Sequence, residues 1–256
     1  MRNTFTLGSY TSSTNGVYIS GSGVYNAPER DYDPVKVPGR SGDLILSGES
    51  YRNIEVTYPA FISNNFKTNL ANFRSNLLSV NGYAKLTDTY HTDEFRAAYF
   101  PGPLEVSARS QNDAGEFDIT FICKPQRFLV SGETAVTVAS GGSISNPTLY
   151  AAKPSIHVVG YGTLTIGSDA IEIANVFNAI TIDSEIMDCY EASGVPVVNS
   201  AIVGQAVLKE ADYLGNANGA VEFSSNEFPV FEPGTTGITY DNTITSVTIV
   251  PRWWRL

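Results

Sequence analysis

A chain of 256 residues, 42% of them hydrophobic and only 16% charged, is long enough to bury about three quarters of the surface it exposes when unfolded, in one or two domains. Its net charge of −10 argues against gripping a nucleic-acid backbone, and no apolar run approaches the roughly 20 residues of a membrane-spanning helix. Residues 1–20 are polar and strand-like rather than a signal peptide, so the chain is expected to mature in the cytoplasm, where it is made.

Twenty-two glycines and thirteen prolines favour many short strands joined by turns. In chain order, the first stretch to raise a chemical question is residues 35–46, VKVPGRSGDLIL. Two glycines, an arginine and a hydroxyl sit between apolar segments, which fits a phosphate cradle, a nucleophile turn or a plain hairpin. The stretch lacks the G-x-S-x-G spacing of a nucleophile elbow and the Lys-Ser/Thr ending of a phosphate loop. Ile54, Val56 and Tyr58 then alternate as a strand does. In SNNFKTNLANFRSNLLSVNG, Phe66, Leu70, Phe73 and Leu77 recur at spacings of four, three and four, which predicts a helix near 64–80 with its apolar stripe in a core. Ser63 or Asn64 can cap its start, and Gly82 can end it.

The segment LTDTYHTDEF gathers Asp88, His91, Asp93 and Glu94. Those side chains fit an acid/base or metal cluster, but equally a polar turn between strands at residues 84–86 and 95–100, and the turn is the simpler reading. Leu104, Val106 and Ala108 run into QNDAG and return as Phe117, Ile119 and Phe121, a hairpin pattern. Cys123 continues that alternation and reads as a small buried hydrophobe, although a disulfide with Cys189 stays open.

VSGETAVTVASGGSISNP, rich in Gly and Ser, looks like a junction. Charge changes across it: residues 1–130 carry 12 basic and 13 acidic side chains, residues 131–256 carry 4 and 13. Beyond it come the short alternating segments of a β-sandwich, with TLTIGSDAIEIA the clearest hairpin. GYGTLTIG has strands on both sides and its last glycine comes too late for a dinucleotide loop. Asp183, Glu185 and Asp188 carry calcium-type oxygen donors without the glycine and spacing of an EF-hand loop, so a solvated strand end is the plainer reading. The chain ends in PRWWRL, with both its tryptophans adjacent. If Val247 and Ile249 face the core, the period of two buries Trp253, and Trp254 turns towards a second apolar surface, either the first domain or a neighbouring subunit.

In order, VPGRSGDL, YRNIEVTY, the amphipathic helix, LTDTYHTDEFRAAY, GEFDITFICKPQRF, NPTLYAAKPSIHVVGYGTLTI, TIDSEIMDCY, FPVFEPG and VTIVPRWWRL span essentially the whole chain and resemble the distal tail (Dit) protein family of long, non-contractile-tailed bacteriophages. The resemblance implies a mainly β fold: an N-terminal β-sandwich or split-barrel-like domain with one α-helix over residues 1–135, then a galectin-like β-sandwich over residues 136–256. It implies a structural protein, not an enzyme, that forms a homo-hexameric ring linking the tail tube to tail-tip and tail-associated proteins and, in many phages, receptor-binding proteins. The place would be the distal end of the virion tail, with host cytoplasm during assembly. No cofactor, metal, membrane or direct nucleic-acid partner is expected. Under this reading Pro38, Gly39 and Gly42 shape a hairpin tip or belt that carries Arg40 outward, and Arg40, Trp253 and Trp254 are the candidate contacts. No room is left for an inserted carbohydrate-binding module.

The alternative is a glycan-binding adhesion module, favoured by 14 tyrosines and the galectin-like half. The second half nevertheless lacks the His-Asn-Arg constellation that galectins use, since its two arginines lie in the last five residues. A glycoside hydrolase would need two placed carboxylates in a cleft.

Overall fold

The computed structural model describes residues 2–109, 113–175, 178–191, 221–225 and 227–256. The chain is mainly β and packs as two units, Met1–Arg127 and Phe128–Arg255.

In the first unit an antiparallel sheet runs in the order Tyr10–Thr11, Phe5–Leu7, Ala84–Asp88, Glu94–Tyr99, Ala114–Cys123, Ile54–Ile62, Val17–Ile19. Its spine is the pairing of Ile54–Ile62 with Ala114–Cys123, in register from Ile54 opposite Cys123 to Ile62 opposite Gly115. Because strand side chains alternate, Ile54, Val56, Tyr58, Ala60 and Ile62 share one buried face with Phe117, Ile119, Phe121 and Cys123.

The helix Phe66–Ser79 lays Phe66, Phe73, Leu77 and the half-buried Leu70 on that face. Phe73 meets Phe5 and Phe117 at centroid distances of 6.4 and 5.7 Å. Gly115 is what lets the helix start so close to the sheet, because a β-carbon there would lie 2.2 Å from Phe66 Cε2. The helix start differs from the sequence expectation. The capping position is Asn65, held left-handed at φ 46° with no side-chain cap of its own. The Phe66 N–H instead donates to Asp113 Oδ1 at 3.1 Å, a cap supplied from 47 residues away. The hairpin expected beyond Leu104 forms between Val106–Arg109 and Ala114–Cys123, with Val106 opposite Phe117. Residues 110–112 of its turn lie outside the described residues.

The second unit is a sandwich of two five-stranded antiparallel sheets. One runs Val136–Val138, Ile244–Val250, Ser155–Gly160, Ala179–Asp183, Asp188–Glu191, and the other Gly142–Asn146, Gly234–Tyr240, Gly162–Ile166, Asp169–Ile173, Val221–Phe223. Ile156, Val158, Ile180, Ile182, Val247 and Ile249 from the first interleave with Ile144, Leu164, Ile166, Ile171 and Ile238 from the second in one core. The predicted hairpin is present, with Leu164 opposite Ile171. The sequence places Gly167-Ser168-Asp169 in the turn, with Leu164 and Ile166 facing Ile171 and Ile173; the turn is tighter, because Ile166 pairs with Asp169 and leaves Gly167 (φ 62°) and Ser168 as the loop. The Gly- and Ser-rich stretch that looked like a junction is itself structured, supplying the 3-10 turn Val130–Glu133 and strands Val136–Val138 and Gly142–Asn146 to this unit.

Cys123 and Cys189 are buried and not joined in a disulfide, and burial pushes each thiol up to about 12, which makes both poor nucleophiles. Among the described residues no helix is long and apolar enough to cross a membrane.

A polar row, Ser155, His157, Thr181 and Asp183, lies on the opposite face of the first sandwich sheet and is also withdrawn from solvent. His157 Nδ1 is 3.2 Å from Thr181 Oγ1, and burial pulls its imidazole below the ordinary value. A folded pKa below the unfolded value of about 6.5 means that the unfolded chain takes the proton first. His157 therefore leaves stability untouched well above that value and erodes it as pH falls through it. Urea midpoints at pH 7.5 and 5.5 should fall further in the native chain than in His157→Gln. Equal losses in the two proteins would place the acid sensitivity elsewhere.

Candidate functional site

The sequence's first chemical question has a structural answer. Residues 35–46 belong to a two-stranded hairpin, Arg30–Val35 with Leu44–Tyr51, that forms a sheet of its own in the first unit. Val35 pairs with Leu44, and Pro38, Gly39, Arg40 and Gly42 lie in the tip between the strands. The Arg40 N–H donates to the Val37 carbonyl at 3.2 Å, closing a turn that leaves the Arg40 side chain exposed. Gly39 and Gly42 hold φ of 80° and 83°. A β-carbon at either would meet nothing within 4 Å, so the backbone angle, not space, asks for glycine.

All six residues of Arg30–Val35 are exposed. Tyr32, Val35, Val37, Leu44 and Ile45 present apolar side chains to solvent, Ile45 at 59%. At the base, Arg52 pairs with Asp31 at 3.1 Å and Glu29 at 3.7 Å, and the Arg30 guanidinium sits 5.3 Å from the Tyr51 ring centre. These contacts tie the two strands together where they leave the body of the unit. A lone two-stranded hairpin is marginal in water, and this one offers an apolar, uncovered surface.

Two other polar clusters that the sequence singles out are tied into turn and strand contacts. Asp88 accepts from the backbone N–H groups of Tyr90 and His91, both at 2.8 Å, and from Tyr58 Oη at 2.6 Å, while His91 Nδ1 lies 3.1 Å away. That geometry is an anchored turn, as the simpler reading held. Asp183 corrects the sequence reading. It is neither a calcium-type donor nor a solvated strand end but a buried carboxylate held by both terminal nitrogens of Arg252 at 2.6 and 2.7 Å. Asp188 Oδ1 instead accepts the Cys189 N–H. Among the described residues no three His, Cys, Asp or Glu side chains converge as metal ligands.

Both tryptophans lie in the second unit. Trp253 is 5% exposed and packs on Phe231 at 5.8 Å. Trp254 is half-buried, stacks on Tyr150 at 4.5 Å and donates from Nε1 to the Ala151 carbonyl. The sequence pattern places its partner in the first domain or a neighbouring subunit, whereas Tyr150 and Ala151 supply one within the second unit. Pro38, Gly39, Arg40 and Gly42 thus form one constellation in the first unit, and the two indoles form another in the second.

No protein-family model matches the sequence, and no curated protein sequence matches it either. The fold does match solved structures. The Dit protein of SPP1 (gp 19.1), described as a paradigm of the hub adsorption apparatus in phages infecting Gram-positive bacteria, is similar with a TM-score of 0.66 at 12% identity, over 97% of this chain and 98% of that one. A chain of the phage P2 baseplate in its activated conformation with Ca aligns over 97% of both chains at 9% identity, with a TM-score of 0.48. The chain has the fold of SPP1 Dit.

Proposed function

We propose that this chain is a structural hub protein of a phage tail tip, a distal tail protein of the Dit kind. In this reading the first unit builds a hexameric ring at the distal end of the tail. The ring joins the tail tube to tail-tip or baseplate proteins and offers a seat for receptor-binding proteins. The role is structural rather than catalytic, and assembly precedes incorporation into the virion, in the host cytoplasm.

The observation that carries the proposal is the hairpin arm. A monomer gains nothing from holding Tyr32, Val35, Val37, Leu44 and Ile45 in water, whereas a second copy covering them recovers roughly 25 cal/mol for each Å² buried. An arm that reaches the next copy, rather than pairing with its own counterpart, makes a head-to-tail contact. Head-to-tail contacts close into rings when the rotation allows. The similarity to SPP1 Dit over nearly the whole chain supports the same reading.

Replacing residues 36–43 by Asn-Gly, a two-residue hairpin loop, shortens the arm without touching either core. The shortened protein should keep its circular dichroism and, at concentrations where the native chain is dissociated, its melting behaviour, but lose the ring, and Arg40→Ala should weaken assembly while leaving melting of the dissociated chain unchanged. Rings that form normally without the tip would remove the arm from assembly. Earlier melting of Arg40→Ala with normal assembly would make Arg40 an intrachain strut.

A further inference from the structure

Residues 21–29 join the strand Val17–Ile19 to the arm strand Arg30–Val35 and carry no helix or strand of their own. We infer that this segment is a strap that closes over a polar chamber in the first unit, and that its opening re-aims the arm. Arg127 holds the strap shut and Arg96 works against closure. The inference rests on the reading of the arm as an assembly element.

The closing contacts are specific. Arg127 donates from Nη2 to the carbonyls of Val24 and Asn26, both at 3.4 Å, while its Nη1 is fixed by Glu94 at 2.9 Å. Tyr25, itself 68% exposed, stands edge-on to the His91 ring at 4.9 Å. Gly23 lies so close to the body that a β-carbon would fall 3.0 Å from His91 Cε1 and 3.1 Å from Tyr90 Cβ. Gly21, at φ 94°, has nothing within 4 Å and supplies the pivot.

The opposing contribution lies underneath. Val24 forms one wall of a pocket of about 10 Å³ whose other walls include Asp88, His91, Glu94 and Arg96. Arg96 is 8% exposed, and neither Nη1 nor Nη2 has a hydrogen-bond partner. A pocket of that size holds about one water, too little to satisfy both nitrogens. A buried guanidinium whose two terminal nitrogens lack hydrogen-bond partners, and whose attraction to Glu94 is opposed by the neighbouring Arg127, disfavours the closed form, and hydration on opening relieves it. Three long hydrogen bonds (the third from Asn26 Nδ2 to the Glu55 carbonyl at 3.5 Å), one ring contact and the half-buried Val24, set against one trapped charge, give a closure of low net stability, as expected of a segment that must move. Since Arg30 follows the strap directly, the strap's position sets the direction in which the arm leaves.

Hydrogen exchange of residues 21–29 in the full chain tests this. Arg127→Ala should raise exchange there about tenfold or more, and Gly23→Ala should act in the same sense. Arg96→Met, which removes the trapped charge, should lower it. Residues 54–62 and 114–123 serve as the fold control and should not change. Unchanged exchange at 21–29 in Arg127→Ala, no slowing in Arg96→Met, or a change shared by the control strands would each overturn the strap. The readout is local, so it stands or falls separately from whether the arm builds a ring.

Discussion

Arg252→Met should destabilise the second unit by about 3–5 kcal/mol, because it leaves Asp183 charged and buried without its cation, with only the Glu185 N–H still donating to it. The two side chains are 3% and 4% exposed and form a bidentate pair. Arg252 sits at φ 58°, a left-handed angle that aims it back at the sheet, with its N–H on the Gly132 carbonyl at 2.8 Å. Methionine keeps the length of the side chain and the same backbone demand, so the comparison isolates the charge. Arg252→Met/Asp183→Leu should recover most of the loss, since a well-packed apolar pair replaces a buried ion pair at little or no net cost. Both tryptophans of the chain lie in this unit, so urea unfolding followed by indole fluorescence reports on it selectively. A double variant as unstable as the single one would mean that packing around Arg252, rather than charge pairing, holds the site.

Trp253→Ala should have a comparable effect, about 3–5 kcal/mol. The indole fills the core against Phe231, and its backbone is held twice. The Leu129 N–H donates to the Trp253 carbonyl at 2.8 Å, and Gly132 approaches so closely that a β-carbon would lie 2.3 Å from the Trp253 nitrogen. Trp254→Ala should cost less, because it removes one stacked pair, worth about 0.5–1.5 kcal/mol beyond its buried area, and one hydrogen bond from a half-buried ring. The urea midpoint of each variant, read by the remaining tryptophan, orders the two. A larger loss for Trp254→Ala would reverse the assignment of core and cover.

What the sequence makes legible is what strand and helix periods control. The alternation from Phe117 to Cys123, the 4-3-4 spacing from Phe66 to Leu77 and the alternating Leu164, Ile166, Ile171 and Ile173 around Gly167 all place side chains by local geometry, and each set lands on a buried face, although only Leu164 and Ile171 stand opposite each other. Trp253 is buried as expected but not by alternation, because the strand ends at Val250 and the left-handed Arg252 turns the chain before the indole enters the core. Long-range polar contacts follow no such local rule. Asp183 and Arg252 stand 69 residues apart, and no local pattern announces that the end of a strand will bury its carboxylate against a left-handed arginine. One signal was available: Ala179–Asp183 is buried on both faces, and the near-apolar run AITID fits that better than a half-exposed strand. Asp113 capping Phe66 is lost for the same reason, because the true cap is remote while Ser63 and Asn64 are merely near. The hairpin tip was legible from PGRSG through its turn chemistry. The uncovered apolar flanks that give the arm its proposed purpose needed the fold.

The central claim is that the first unit's arm joins copies into a ring, and the mass of the assembled particle tests it most directly. Sedimentation velocity of the purified chain across micromolar concentrations, with negative-stain images of the sedimenting species, should find closed rings of six copies of the 27.6 kDa chain. A single species near 27.6 kDa at every concentration, with no rings in the images, would contradict the account.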